Sequence, residues 1–172
     1  FVAKALDKAN CDLAAVAVVD HDTVLGIEPT QEIARNRNIE VLSGVELTAE
    51  YDGLEVHILG YLIDYKRKDL IERLDFLNKK RIERIYKIVD KLKDMGINLK
   101  PQDVFDIAAG GTVGRLHVAR AMVEKGLVGS IFEVFQKYIG DRCPAYVCGF
   151  RFSPKEAIRL IKDVGGIPVL AH

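Results

Sequence analysis

Residues 45–59 read VELTAEYDGLEVHIL, and the Asp52-Gly53 pair inside them constrains this chain more than any other feature. Asp-Gly between alternating apolar and polar residues is a strong signal for a two-residue β-hairpin, because both central residues accept the positive φ that matches strand twist. A register follows from that turn: Tyr51 opposite Leu54, Thr48 opposite His57, Glu46 opposite Leu59. Period two then puts Val45, Leu47, Ala49, Leu54, Val56 and Ile58 on one face, which is the expected core. Glu46, Thr48, Glu50, Glu55 and His57 fall on the other, with Leu59 its one apolar exception. A slip of one residue would exchange the two faces. Glu46 and His57 are diagonal cross-strand neighbours, about 7–8 Å apart at the backbone. Their side chains can therefore close on one cation at about 2.0–2.2 Å from each ligand atom. A single Glu or His on such a face is ordinarily just hydrated. Two of the chain's four histidines, with Glu46 between them and each on or ending a strand, shift the balance toward a site.

Upstream, Ala14–Val19 is a short valine-rich run expected to be a buried strand, ending in Asp20-His21-Asp22. The carboxyl ends of strands are where α/β folds place ligands. Val2, Leu6 and Ala9 fit a helix ending near Asn10. Thr30–Asn38 reads as a helix feeding a strand at Ile39–Leu42, so strand, helix and strand follow the βαβ rhythm of a parallel sheet or barrel. From Lys66 the pattern turns helical. Leu70, Leu74, Leu77, Ile82, Ile85, Val89 and Leu92 recur at helical spacing before Gly96. Pro101 opens a second helix that stops at Gly110-Gly111. A third runs from Gly114-Arg115-Leu116-His117 to Gly126, and a fourth covers Ser130–Tyr138. Four helices without a strand predict a helical insert over residues 66–143, between barrel portions 1–65 and 144–172. Ser153-Pro154-Lys155-Glu156 then has the form of a capped helix start, and Gly165-Gly166 ends that helix. Ile167–Ala171 reads as another buried strand, with His172 at its end.

Composition narrows the class. Of 172 residues, 25 are basic and 25 acidic, and a neutral chain is poorly suited to broad binding of duplex nucleic acid. No apolar run approaches the ~18 residues of a membrane span, and no secretory signal is visible. The three cysteines, at 11, 143 and 148, have no CxxC spacing and read as free thiols of a reducing compartment, so a cytoplasmic protein is expected.

His21, Glu46, His57 and His172 all lie on strands or at strand ends of the α/β portion. Imidazole and carboxylate together suit Mn, Fe or Zn, whereas an all-oxygen set would favour Mg or Ca. Such cations lower the pKa of a bound water and neutralise phosphoryl oxygens, and a bridging Glu46 would hold two of them close. Asp20 and Asp22 read as groups behind the ligands, fixing the His21 tautomer, or as caps. Arg115 and His117 stand at a helix start, where free N–H groups and the dipole favour anions. A phosphate-gripping Arg115 and a surface Arg with a packed His are equally compatible with the sequence there. Arg81 and Arg84, one turn apart, could share a direction.

VVDHDTVLGI, GVELT and VHILGY, in that order, resemble segments of the PHP family (polymerase and histidinol phosphatase domains), and most of all its branch of small nucleotide phosphoesterases. GRLHVARAMVEKGLV resembles that branch's GRPH helix start, with Leu116 in the Pro position, and GGIPVLAH resembles a GG-x-x-x-LAH segment. Val19 stands where the family usually has Thr. The resemblance implies an α/β fold: part of a distorted TIM-like barrel of seven βα units carrying the helical insert. It further implies a trinuclear metal centre that hydrolyses phosphate esters of a nucleotide, a nucleoside 3′,5′-bisphosphate or a short RNA 5′ end. His21, Glu46, His57 and His172 match family metal ligands, and Arg115 matches a residue facing the substrate phosphate. Arg81 and Arg84 resemble a second group contacting the anion, with His117 beside Arg115. Two further family segments, an HxH with a following Asp and a DxH, do not occur here. Residues 1–172 alone are therefore expected to bind metal weakly and to lack activity. A histidinol-phosphate phosphatase, and a PHP module serving only for binding or structure, are the alternatives; the GRLH helix argues against the former.

Overall fold

The computed structural model describes residues 13–172, so the helix expected to end near Asn10, and Cys11, lie outside the described residues. In chain order the elements are β1 (Ala15–Val18), α1 (Ile27–Arg35), β2 (Glu40–Tyr51), β3 (Leu54–Tyr61), α2 (Lys68–Asp94), α3 (Pro101–Ala108), α4 (Arg115–Glu124), α5 (Ile131–Val134) with a π-helical turn over Phe135–Ile139, α6 (Pro154–Asp163) and β4 (Ile167–Leu170). The fold is mixed α/β, and the described residues form two compact units, residues 13–74 with 151–172, and residues 75–150.

The first unit is a four-stranded sheet in the order β1-β2-β3-β4. Asp52 and Gly53 both take positive φ, and the ladder pairs Tyr51 with Leu54, Thr48 with His57 and Glu46 with Leu59. That is the register read from the turn. Val45, Leu47 and Ala49 are fully buried and Ile58 nearly so, each large side chain contributing about 1.5–3 kcal/mol. Leu54, at the hairpin tip, is exposed instead.

The strand expected over Ile39–Leu42 and the first strand of the hairpin are one continuous element. The amino-terminal part of β2 pairs in parallel with β1, from Ala15–Glu40 to Val18–Ser43, and its remainder pairs antiparallel with β3. Gly44 sits at the changeover. A Cβ there would stand 2.7 Å from the Gly60 carbonyl oxygen and 2.9 Å from that of Val18, so only glycine lets the three strands approach. β4 closes antiparallel onto β3.

Helix α1 packs on β2, and α6 on β2, β3 and β4. The start of α6 is held by a capping box in which Ser153 Oγ accepts from Glu156 N and the Glu156 carboxylate accepts from Ser153 N. Two expectations need correcting. β1 and β4 are not buried: Ile167, Val169 and Leu170 are 54%, 43% and 70% exposed, and Ala15 and Ala17 are exposed too. They are the outer strands of the sheet, so among the described residues each is flanked on one side only.

The second unit is helical. Ile85, Ile88, Val89 and Leu92 of α2 close its core with Val104, Val118, Met122, Val134 and Ile139, all buried. Helix α3 ends where Ala109 adopts a left-handed φ of 48° before Gly110-Gly111. Ser130 caps α5 by accepting from Glu133 N at 3.1 Å. Cys143 and Cys148 are free thiols.

Candidate metal centre

In the first unit, β1 delivers His21 directly against β2. Glu46 N donates to the Asp20 carbonyl (3.0 Å) and Asp22 N donates to the Glu46 carbonyl (2.9 Å), a parallel bridge that sets His21 beside Glu46. Asp22 locks this turn. Its carboxylate, 3% exposed, accepts from Thr48 N and Thr48 Oγ1, both at 2.9 Å. Asp22 is thus the structural anchor of the loop, and it adopts a positive φ of 51° that Asp tolerates. The Asp20 carboxylate lies against Gly26, whose added Cβ would stand 2.1 Å from Oδ2.

Four sequence-derived candidates gather at one place. His57 Nδ1 lies 2.9 Å and His21 Nδ1 3.5 Å from the two oxygens of Glu46, and His172 Nε2 lies 3.6 Å from Oε1. His172 Nε2 is also 3.2 Å from His57 Nδ1. The His57 ring meets those of His21 and His172 edge to face, with centroids 5.0 and 5.4 Å apart. One ligand atom from each of His21, Glu46 and His57 falls within 4.8 Å of the others. His172 reaches the group through β4, its neighbour Ala171 donating N–H to the His57 carbonyl at 2.9 Å.

This donor set fits a cation. Glu46 Oε1 is buried and makes no hydrogen bond despite the imidazoles around it. An unsatisfied buried carboxylate oxygen costs more than an ordinary polar group, and a positive charge among these donors would satisfy it. A carboxylate with two or three imidazole nitrogens is also the donor chemistry of Mn, Fe and Zn sites.

Two neighbours of the group carried no signal of their own in the sequence. His57 Nε2 lies 3.3 Å from Glu55 Oε1, and the other Glu55 oxygen accepts from Arg151 Nη2. Arg151 Nη1 donates to Glu50 at 2.7 Å, and its side chain is only 8% exposed. Glu50 and Glu55 are directly opposed in the hairpin. Two like charges so placed call for a cation, which is the clue that could have led to Arg151.

The remaining candidates belong to the helical unit. Arg115, first residue of α4, pairs with Asp141 at 2.8 Å, and its guanidinium lies 5.5 Å from the Tyr146 ring centroid. Arg84 lies 5.8 Å from the centroid of the same ring and donates to the Val147 carbonyl at 2.7 Å. Arg81 comes close to Gly114, the residue that begins α4. His117 Nδ1 accepts the Gly114 N–H at 3.1 Å, so this histidine works as a helix cap. Burial, with Arg120 and Arg81 nearby, holds the His117 imidazole below its ordinary pKa.

Comparison with known proteins gives this geometry a context. The chain is 33% identical over 162 residues to the 5′-3′ exoribonuclease Rnm of Escherichia coli, covering 93% of the chain and 55% of that protein. It is 32% identical over 164 residues to a 3′,5′-nucleoside bisphosphate phosphatase of Chromobacterium violaceum, covering 92% and 56%. These similarities fit the PHP family that the motifs resemble. Solved structures fit the same resemblance. An amidohydrolase from Chromobacterium violaceum superposes with a TM-score of 0.86 at 30% identity, over 99% of this chain and 58% of the other. A chain from Bifidobacterium adolescentis, described as a metal-dependent phosphoesterase, gives 0.87 at 25% identity over 99% and 60%. The chain therefore spans little more than half the length of the relatives it matches. No family model matches it. Among the described residues no helix is long and apolar enough to cross a membrane.

Proposed function

We propose that this chain is part of a metal-dependent phosphoesterase that acts on a nucleotide, a nucleoside 3′,5′-bisphosphate or the 5′ end of a short RNA. The sheet is read as part of a distorted barrel of seven βα units, and His21, Glu46, His57 and His172 as ligands on its polar face. The observation that carries this is Glu46, whose buried Oε1 makes no well-formed hydrogen bond beside the His57 and His172 imidazoles while its other oxygen faces His21. Divalent ions of the Mn, Fe or Zn class, when bound there, supply Lewis acidity for water and for phosphoryl oxygens.

The chain's own residues do the rest. Glu46 offers two oxygens on different sides, one toward His21 and one toward His57 and His172. Asp22 keeps the His21 turn in register with β2 through Thr48. In the helical unit, Arg81, Arg84 and Arg115 gather around the first turn of α4 and Tyr146, a setting that favours a phosphate group. A phosphate approaching Arg115 competes with Asp141, which is 77% exposed and able to swing away. His117 contributes the cap that orients that turn.

The test uses the full-length protein. Metal content after dialysis and phosphate release from nucleoside 3′,5′-bisphosphates are measured for the wild type and for Glu46→Gln. Bound divalent metal and chelator-sensitive turnover in the wild type, both lost in the variant, are expected. A wild type that retains turnover without metal would overturn the reading.

A further inference from the structure

The second unit carries an exposed aromatic pair outside its buried core. Phe76 and Phe150 meet edge to face, with ring centroids 5.1 Å apart and planes at 89°, yet they remain 38% and 47% exposed. In such a contact the edge of one ring meets the face of the other, so Phe76 covers at most one face of Phe150. Phe76 also has a cation beside it. Lys80 Nζ, which pairs with Glu83 at 2.8 Å, lies 5.7 Å from the Phe76 ring centroid.

The pair is continuous with the basic cluster. Phe76, Lys80 and Arg84 follow at intervals of four along α2, which places them on one stripe of the helix. Residues 147–150 run beside that stripe. Arg84 donates to the Val147 carbonyl at 2.7 Å, and a Cβ on Gly149 would stand 3.0 Å from Arg84 Nη1. Gly149 thus lets the guanidinium lie directly against the residue before Phe150. The same guanidinium lies 5.8 Å from the Tyr146 ring centroid, and that of Arg115 lies 5.5 Å from the same ring. Rings and guanidinium groups form one row, from Phe76 and Phe150 through Arg84 to Tyr146 and Arg115.

Aromatic rings along a cationic track are the arrangement that holds unpaired nucleotides, the rings taking the flat faces of bases and the cations the phosphates. A pair serving only to pack residues 147–150 on α2 would hide both rings, whereas here the more exposed ring is the one that follows the Arg84 contact. We propose that Phe150, supported by Phe76, is a stacking platform for a nucleobase whose phosphate lies at Arg84 and Arg115. This rests on the reading of that cluster as a phosphate setting, and adds what the phosphate is attached to. The base comes from a mononucleotide or from the end of an RNA, which present the same flat face.

The experiment follows 2-aminopurine, a base whose fluorescence is quenched on stacking. Rapid mixing with the full-length protein as purified reads the probe before turnover. One probe is 2-aminopurine riboside 3′,5′-bisphosphate, and the other is a 5′-phosphorylated dinucleotide with 2-aminopurine as its second base. Quenching of the first assigns the platform to the mononucleotide base, and quenching of the second alone assigns it to the RNA end. Phe150→Leu is expected to bind about 5–100-fold more weakly and without quenching, and Phe150→Tyr to restore both. Phe76→Leu is expected to change in the same direction, so misfolding of one variant leaves the other to decide. The inhibition constant of inorganic phosphate, which has no base, should not change in Phe150→Leu. Absence of quenching in the wild type with either probe, or undiminished quenching in folded Phe150→Leu and Phe76→Leu, overturns the proposal. So does a loss of phosphate inhibition as large as the loss of probe affinity. A protein that quenches the probes but hydrolyses no nucleotide would defeat the phosphoesterase reading and leave the platform standing, and turnover without quenching would do the reverse.

Discussion

Asp22 offers the sharpest quantitative test of how the His21 turn is held. Its two carboxylate oxygens each accept a 2.9 Å hydrogen bond from Thr48, and both residues are more than nine-tenths buried. Hydrogen bonds to a charged group contribute about 1.5–3 kcal/mol each, and their loss leaves buried donors unmet. Asp22 also sits at a positive φ of 51°, where an alanine is strained by about 1–2 kcal/mol. Asp22→Ala should therefore cost about 3–5 kcal/mol, allowing for partial relaxation. Asp22→Asn keeps an oxygen for Thr48 N, tolerates the backbone, and can donate to a rotated Thr48 hydroxyl; about 0.5–1.5 kcal/mol is expected. Urea denaturation of the full-length protein, with hydrogen exchange followed at the Thr48 amide, separates these outcomes. The amide should lose protection in Asp22→Ala and retain most of it in Asp22→Asn. A cycle with Thr48→Val should give a coupling of about 1–3 kcal/mol. An Asp22→Ala cost below about 1 kcal/mol, or equal costs for the two variants, would refute the account of the anchor.

Other expectations concern the helix starts and the basic cluster. His117 has a pKa lowered in the folded state, by burial first and then by Arg120 and Arg81, so the unfolded chain binds the extra proton. Its contribution is therefore complete above the ordinary imidazole value of about 6.5 and is lost as pH falls through the lowered folded value. His117→Gln, which keeps an acceptor for Gly114 N, should flatten that loss in a pH series of thermal melts. Ser153→Ala removes the cap of α6 and should cost about 1 kcal/mol in denaturant titration. Arg115→Ala should reduce phosphate release from phosphomonoesters while leaving the metal content of the full-length enzyme unchanged. Loss of metal together with helical signal would make Arg115 structural.

What could be read from the sequence was what local chemistry decides. Asp52-Gly53 carries its own backbone preference, so the hairpin register and the side on which Glu46 and His57 meet followed from a few adjacent residues. The cap at Ser153 was legible for the same reason. The exposure of β1 and β4 was not, because a valine-rich run looks alike in the middle of a sheet and at its edge. Ser43-Gly44 gave no hint of a continuous β2, since the need for glycine there comes from Gly60 across the ladder. Arg151 lies about a hundred residues from Glu50 and Glu55, and no periodicity connects them. Asp22 was left open between a cap and a partner of His21; its bonds to Thr48 make it an anchor.

The bridge between Ala49 and Phe152 joins two stretches of the first unit that the whole of residues 75–150 separates in sequence. This has a consequence for assembly during synthesis. At about 5–20 residues per second, the hairpin exists for several seconds before α6 and β4 have been made. During that interval β3 presents an unpaired edge, and Glu50 and Glu55 repel one another without Arg151. The helical residues meanwhile can fold from contacts within their own continuous stretch, and doing so shortens the chain that must be searched to close the sheet. The order of translation thus makes the hairpin vulnerable to wrong strand partners early. Its opposed carboxylates, not yet neutralised, give that nascent edge a charge that discourages them.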